Sequence, residues 1–355
     1  MKYQPALDGL RALSVLTVIV YHLPGNPIPG GWIGVDIFFV LSGFLITKIL
    51  STELQATGRI NLKNFYMARF FRLAPALFVL LGAVALVSPL FPARQKELLQ
   101  GTAMALTYLA NWNLIYEWWP AGVVGHTWTL SVEEQFYFIW PFLLLLIPRH
   151  RIVAALVFLI LLSTDWRFSL TYQSAPVART IFGSDTYASS LLLGCLIAVK
   201  SGPRLVQFCS RTWWVAAFGI AAILLTQHSY MRFTRSFGIL FASIFAAWLI
   251  LALQENKTLI KWLSAKPLVY TGKLSYSLYL WHHAILLLIY WYFWPTSEKL
   301  PPPESNLARL AVWVSVIVAS FIFASLSYRF VEKPALRLKG KFLGHRPPTT
   351  NAGAA

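Results

Sequence analysis

Eleven apolar stretches decide what this chain can fold into: roughly 6–23, 32–50, 73–91, 98–116, 128–147, 152–164, 187–199, 213–226, 236–253, 274–294 and 307–328. A membrane-crossing helix needs about 20 mostly apolar residues at a rise of about 1.5 Å each. The stretches meet that scale and leave too little sequence for a separate soluble domain. Only 12 % of the residues are charged, against about 25 % in soluble domains. In a bilayer every backbone polar group must be satisfied inside its own element, so spans of this length are helical. The expected fold is all-α, a polytopic integral membrane helical bundle over 1–340 with a tail at 341–355. That Pro/Thr/Ala-rich tail is expected to be cytoplasmic and disordered.

The net charge of +17 comes from Lys and Arg spread over many short loops. A nucleic-acid binder would gather them in one stripe, so no nucleic-acid partner is expected. The pattern instead follows the bias of basic loops towards the cytoplasm, and it can attract membrane lipid with anionic headgroups or a polyanionic ligand. Eleven full crossings would put these basic loops on opposite sides. One segment should therefore be re-entrant or partial, either 73–91 or 98–116, leaving about ten transmembrane helices and both termini in the cytoplasm. The second segment fits better, because Asn111, Trp112, Asn113 and Trp118-Trp119-Pro120 suit an interface or cavity. Asp8 and Arg11 interrupt the first apolar run, so it reads as a retained helix and not a signal peptide. Cys195 and Cys209 rule out a disulfide framework and read as buried small side chains.

Polar residues inside the apolar runs are the candidates for chemistry. An ionisable group at membrane depth is unfavourable by at least about 2.5 kcal/mol, so it normally faces protein or a wet cavity. The unit from Leu7 to Thr47 holds Arg11, His22 and Asp36. His22 and Asp36 flank a short Pro/Gly turn, where a carboxylate could orient an imidazole acting as general base. The structural alternative is an interfacial His and an Asp capping the second helix. Arg11 lies roughly 16 Å before His22 along the helix; it can pair with Asp8 or clamp an anionic ligand. Arg69 and Arg72 sit three residues apart before Leu73-Ala74-Pro75, where they can grip phosphate or serve as topology charge. The run from His126 to Pro141 brings Ser131, Glu133, Glu134 and Gln135 into an apolar segment, with the adjacent carboxylates on different helix faces. Tyr279 and His282 share another helix face, and nothing in their spacing points to a metal.

Taken in order, these stretches resemble the bacterial acyltransferase family 3, the membrane O-acyltransferases that include O-antigen acetylases. The likeness rests on Leu-Asp-Gly-Leu-Arg11 with His22 following; Gly-Val-Asp36-Ile-Phe-Phe-Val-Leu-Ser-Gly-Phe; Arg69-x-x-Arg72; His126-Thr-Trp-Thr-Leu-Ser-Val-Glu-Glu-Gln-Phe-Tyr; and Tyr-Ser-Leu-Tyr-Leu-Trp-His282. The resemblance implies transfer of an acyl group, usually acetyl, from cytoplasmic acyl-CoA to a hydroxyl of a glycan or lipid-linked glycan such as O-antigen or exopolysaccharide. It implies His22, Asp36 and Arg11 as catalytic residues and Arg69 and Arg72 as the CoA site. His126, Ser131, Glu133, Gln135, Tyr279 and His282 would bind substrate or support the site. It also implies a bacterial inner-membrane location. Some relatives carry a further SGNH esterase-like domain; without one, transfer would be completed inside the membrane domain. The loop from Asp165 to Thr186, with Trp166, Arg167, Tyr172, Arg179 and Asp185, is a further candidate for holding sugars. The competing readings are acylation of a small natural product such as a macrolide sugar, and a transporter or flippase in which the buried charges line a substrate path.

Overall fold

The structure is a computed structural model that describes residues 3–228, 230–294 and 305–342. Those residues contain helices and no strand. The helices run α1 Pro5–His22, α2 Ile33–Thr57, α3 Leu62–Val87, α4 Gln95–Leu106, α5 Ala110–Tyr116, α6 Trp128–Leu146, α7 Ile152–Tyr172 and α8 Val177–Phe182. They continue as α9 Ser184–Val199, α10 Pro203–Arg211, α11 Trp213–Thr226, α12 Ile239–Ala252, α13 Lys257–Leu263, α14 Lys266–Phe293, α15 Asn306–Ser327 and α16 Lys333–Phe342. The tail expected to be disordered falls, beyond Phe342, outside the described residues.

Among the described residues, six helical stretches are long and apolar enough to cross a membrane, or seven if α10 and α11, bent by 61° at their junction, form one span. The chain is thus a multi-pass membrane protein. Helices α1, α6 and α14 have 18, 19 and 28 residues but fall outside that set; they carry most of the polar residues singled out above. The segment at 98–116 does not cross as one helix. It breaks between α4 and α5 at Tyr108, whose φ is 55°, and the pieces of 12 and 7 residues are too short to span.

Two close helix crossings set the site. Helix α1 lies against α14 where a Cβ on Gly272 would stand 1.9 Å from the Asp8 carbonyl oxygen. Helix α2 lies against α9 where a Cβ on Gly43 would stand 1.9 Å from the Leu191 carbonyl oxygen. Only glycine allows backbones to approach so closely, as at other membrane helix interfaces. The first crossing carries the end of α1 to the middle of α14, and the second brings α2 to the polar face of α9. Cys195 and Cys209 are free and buried, as their apolar setting suggested.

Candidate functional site

The site consists of two cavities on either side of α1, α6 and α14. The larger, about 460 Å³, is lined by His22, His126 and His283 with Tyr21, Trp32, Trp128 and Tyr187. That is within the roughly 300–1,000 Å³ of small-molecule sites. The narrower one, about 90 Å³, is lined by Arg11, Arg69, Arg72, Ser42, Glu133 and Tyr137. Val35 and Tyr279 belong to both linings, so a shared wall separates them. The Tyr279 hydroxyl is committed within that wall: it donates to the His126 carbonyl at 2.5 Å and accepts from Thr129 Oγ1 at 2.7 Å.

Hydrogen bonding fixes the tautomers of the imidazoles in and beside the larger cavity. His22 Nδ1 lies 2.8 Å from the Val18 carbonyl oxygen. A carbonyl can only accept, so Nδ1 carries the proton, and a neutral ring leaves the lone pair on Nε2. His282 Nδ1 is 2.7 Å from the Tyr279 carbonyl and 3.1 Å from that of Leu278, which leaves its Nε2 as an acceptor, 3.4 Å from His22 Nδ1. His283 donates through Nδ1 to the Val123 carbonyl at 3.1 Å, and His126 donates through Nε2 to the Leu280 carbonyl at 3.1 Å. The rings cluster tightly, with centroids of His22 and His283 5.0 Å apart and of His126 and His283 4.8 Å apart. Among the described residues, no three or more His, Cys, Asp or Glu side chains converge as metal ligands.

Asp36 is not the partner of His22. It is completely buried on α2, and its described hydrogen bond runs from Ser190 Oγ at 3.2 Å, in a chain with Ser243 Oγ 2.7 Å further on. The positive charge that acts on it is Arg167, itself completely buried, with Nη1 bonded to the Thr186 carbonyl at 2.7 Å and Ser189 Oγ at 3.1 Å. Fourteen residues separate His22 from Asp36 in sequence, but Asp36 faces α9 and α7, so the Val18 carbonyl and His282 take the orienting place expected of it. The expected sugar-binding loop is corrected in the same way. Helix α7 continues to Tyr172, and Arg167 belongs to the interior because carbonyl and hydroxyl oxygens of α9 solvate it.

Arg11 also sits apart from His22, in the wall of the narrow cavity, with Asp8 at 3.9 Å. Arg69 lies 3.8 Å from Glu134 and covers the Tyr137 ring at 3.8 Å; Arg72 lies 3.8 Å from Glu332. These ion-pair distances exceed hydrogen-bond reach, so the carboxylates balance the charge of the guanidiniums without bonding to them. Glu133 accepts from Ser42 Oγ at 2.5 Å.

Two residues expected to bind substrate or support the site, Ser131 and Gln135, line neither cavity. The Ser131 hydroxyl turns back to the Thr127 carbonyl at 3.4 Å. Gln135 ties α6 to the α4–α5 break, donating to the Tyr108 carbonyl at 2.8 Å and Asn111 Oδ1 at 3.0 Å and accepting from Ser184 Oγ at 2.5 Å. Sequence reasoning assigned no site role to His283 or Glu332. His283 was visible as the second half of a His-His pair, and Glu332 as the one acid in the basic stretch after residue 304.

The described residues thus place an imidazole-lined cavity beside an arginine-lined one in a helical membrane protein. The chain belongs to the acyltransferase domain family, whose model matches residues 4–329. It is 35 % identical over 94 % of its length to the peptidoglycan O-acetyltransferase OatA of Listeria monocytogenes, covering 56 % of that protein. It is 33 % identical over 96 % of its length to the O-acetyltransferase OatA of Staphylococcus aureus, covering 58 %, and to the putative peptidoglycan O-acetyltransferase YrhL of Bacillus subtilis, covering 56 %. The chain thus spans a little over half the length of these relatives. No solved structure matches it.

Proposed function

We propose that this chain is a bacterial inner-membrane O-acetyltransferase that moves acetyl from acetyl-CoA to a hydroxyl of a glycan, with His22 as general base. The observation that carries the reading is the His22 tautomer: Nδ1–H is held by the Val18 carbonyl, and Nε2 is left as a lone pair in a ligand-sized cavity that shares a wall with an arginine-lined one. The names of the relatives favour an amino-sugar polymer of the peptidoglycan kind over O-antigen as acceptor.

In this reading the donor enters at the arginines, with both termini on the same, cytoplasmic side. Arg69 and Arg72 hold the phosphates of CoA, and the narrow cavity admits its thin arm and not the nucleotide. Arg11 adds positive charge along that path. The acceptor hydroxyl, in the larger cavity, gives its proton to His22 Nε2 as its oxygen attacks the thioester carbonyl carbon. The C–S bond then breaks, and the imidazolium returns the proton to the departing sulfur. While His22 is charged, its Nδ1–H is shared between the Val18 carbonyl and His282 Nε2, so His282 does the work expected of Asp36.

The test is transfer itself, with purified protein in nanodiscs, acetyl-CoA and a panel of glycans and small hydroxyl compounds, following free CoA and acceptor mass. Wild type should add one acetyl to an amino-sugar oligomer, and His22→Ala, equally folded, should lose about 10²–10⁴-fold. Normal turnover by His22→Ala would remove the base, and acetylation of small compounds alone would remove the glycan.

A further inference from the structure

Helix α5 and the loop after it, which wall the larger cavity, also carry an aromatic ladder that transfer itself does not use. Trp112 stacks on Tyr116 with centroids 6.1 Å apart and planes 16° from parallel, and Tyr116 stacks on Trp118 at 5.6 Å and 21°. The guanidinium of Arg179 lies over the Trp112 ring at 5.6 Å. Separations well above the roughly 3.5–4.0 Å of direct ring contact mean that the rings are offset like steps, leaving part of each face open. Tyr116 and Trp118 are 58 % and 52 % exposed.

The ladder is held in shape from beneath. The side chain of Asn113, buried, grips the backbone of Trp119 at both ends, accepting from its N–H at 2.9 Å and donating to its carbonyl at 2.8 Å. Glu117 turns the chain with φ at 53°, a left-handed conformation uncommon for residues with a side chain. Arg179 is fixed by two bonds to Asp185, one of them 2.9 Å long. Aromatic residues that only anchor a protein at a bilayer surface need neither mutual stacking nor a pinned loop. The same stretch supplies Leu114, Ala121, Gly122 and Gly125 to the wall of the His22 cavity, so the steps continue outward from where an acceptor would react.

We infer that Trp112, Tyr116 and Trp118 form a subsite for a glycan strand, stacking on successive pyranose rings beyond the sugar that is acetylated. The inference rests on the glycan reading above and adds to it a preference for chains over single sugars. Pyranose rings present apolar C–H faces to aromatic rings, and the centroid spacing is comparable with the advance per residue of an extended β-linked chain. Arg179 and Glu117 offer hydrogen bonds at the rim.

The test uses a fluorescently labelled β-1,4-linked N-acetylglucosamine hexamer and, as a short acceptor, the dimer. Polarisation measures hexamer binding to the nanodisc protein, and acetyl transfer is followed to both. Tyr116→Ala and Trp118→Ala should each weaken hexamer binding and raise its KM about tenfold, equivalent to about 1.4 kcal/mol, with kcat on the dimer unchanged. Tyr116→Phe, which keeps the ring, should stay within about twofold of wild type. Hexamer affinity unchanged in both alanine variants, or no hexamer binding by folded wild type, overturns the subsite and leaves the rings as membrane anchors. If wild type binds the hexamer through these rings yet acetylates no sugar, the subsite stands and the acetyl-transfer reading falls.

Discussion

Replacing His282 separates the two ways of holding the imidazole proposed as the base. In the structure His282 Nε2 stands 3.4 Å from His22 Nδ1, and the Val18 carbonyl is nearer, at 2.8 Å. A hydrogen bond to a charged group contributes about 1.5–3 kcal/mol. This one is long and shared with a better acceptor, so the low end applies, about 1.5 kcal/mol. The contact matters only while His22 is protonated, so the loss should fall on kcat, roughly tenfold in rate, with KM for acetyl-CoA unchanged. His282→Phe removes the acceptor but keeps a ring in a fully buried position; His282→Gln offers an amide oxygen and should recover part of the rate. Initial rates of CoA release at saturating acceptor, on protein matched for folded fraction, read the effect. An unchanged kcat in His282→Phe, together with a collapse of about 10⁴-fold in Asp36→Asn, would refute the reasoning and return the orienting role to Asp36.

Asp36→Asn is expected instead to act on stability. It removes the carboxylate that accepts from Ser190 Oγ at 3.2 Å in a fully buried position, a hydrogen bond to a charged group worth about 1.5–3 kcal/mol, and should appear as a lower Tm with kcat within about threefold of wild type. Arg69→Ala and Arg72→Ala should each raise KM for acetyl-CoA about tenfold, or about 1.4 kcal/mol, with little change in kcat; affinity for desphospho analogues should fall less. Gly272→Val would drive side-chain atoms into the Asp8 carbonyl, where even a Cβ stands at 1.9 Å. Overpacking costs about 1–3 kcal/mol, so the yield of folded protein should drop, and the surviving fraction should lose activity because α14 carries His282 and His283.

The helices and the polar side chains of the candidate site could be read directly from the chain because the bilayer makes both stand out. An apolar run of the right length has one stable conformation there, and Arg11, His22, Arg69, Glu133 and His282 are conspicuous where polar groups are unfavourable. Partnerships were not legible. His22 and His282 meet across 260 residues only because glycines let α1 and α14 touch, and no local pattern encodes that meeting. Asp36 misled because it is near His22 in sequence, whereas the rotation of α2 about its axis turns it towards Ser190 and Arg167. The extent of α7 was hidden for a related reason: Arg167 marks a loop until the oxygens of Thr186 and Ser189 that receive it are known.

The four histidines share one device. Each gives a ring N–H to a backbone carbonyl, of Val18, Leu280, Tyr279 or Val123, and a neutral ring so anchored keeps one nitrogen as an acceptor. The larger cavity is thereby furnished with lone pairs from His22 and His283, and its other walls mix aromatic and aliphatic side chains. Such a pocket favours a ligand that brings its own O–H donors and resists a bare anion, which would meet acceptors on several sides. A hydroxyl-rich acceptor suits it, whereas the phosphates of CoA do not. The guanidiniums of the narrow cavity have the opposite preference. Tyr279, its hydroxyl bonded on both sides within the wall, lies between the two environments, so that in the proposed reaction each substrate would be drawn to its own cavity by charge and hydrogen bonding before they meet at His22.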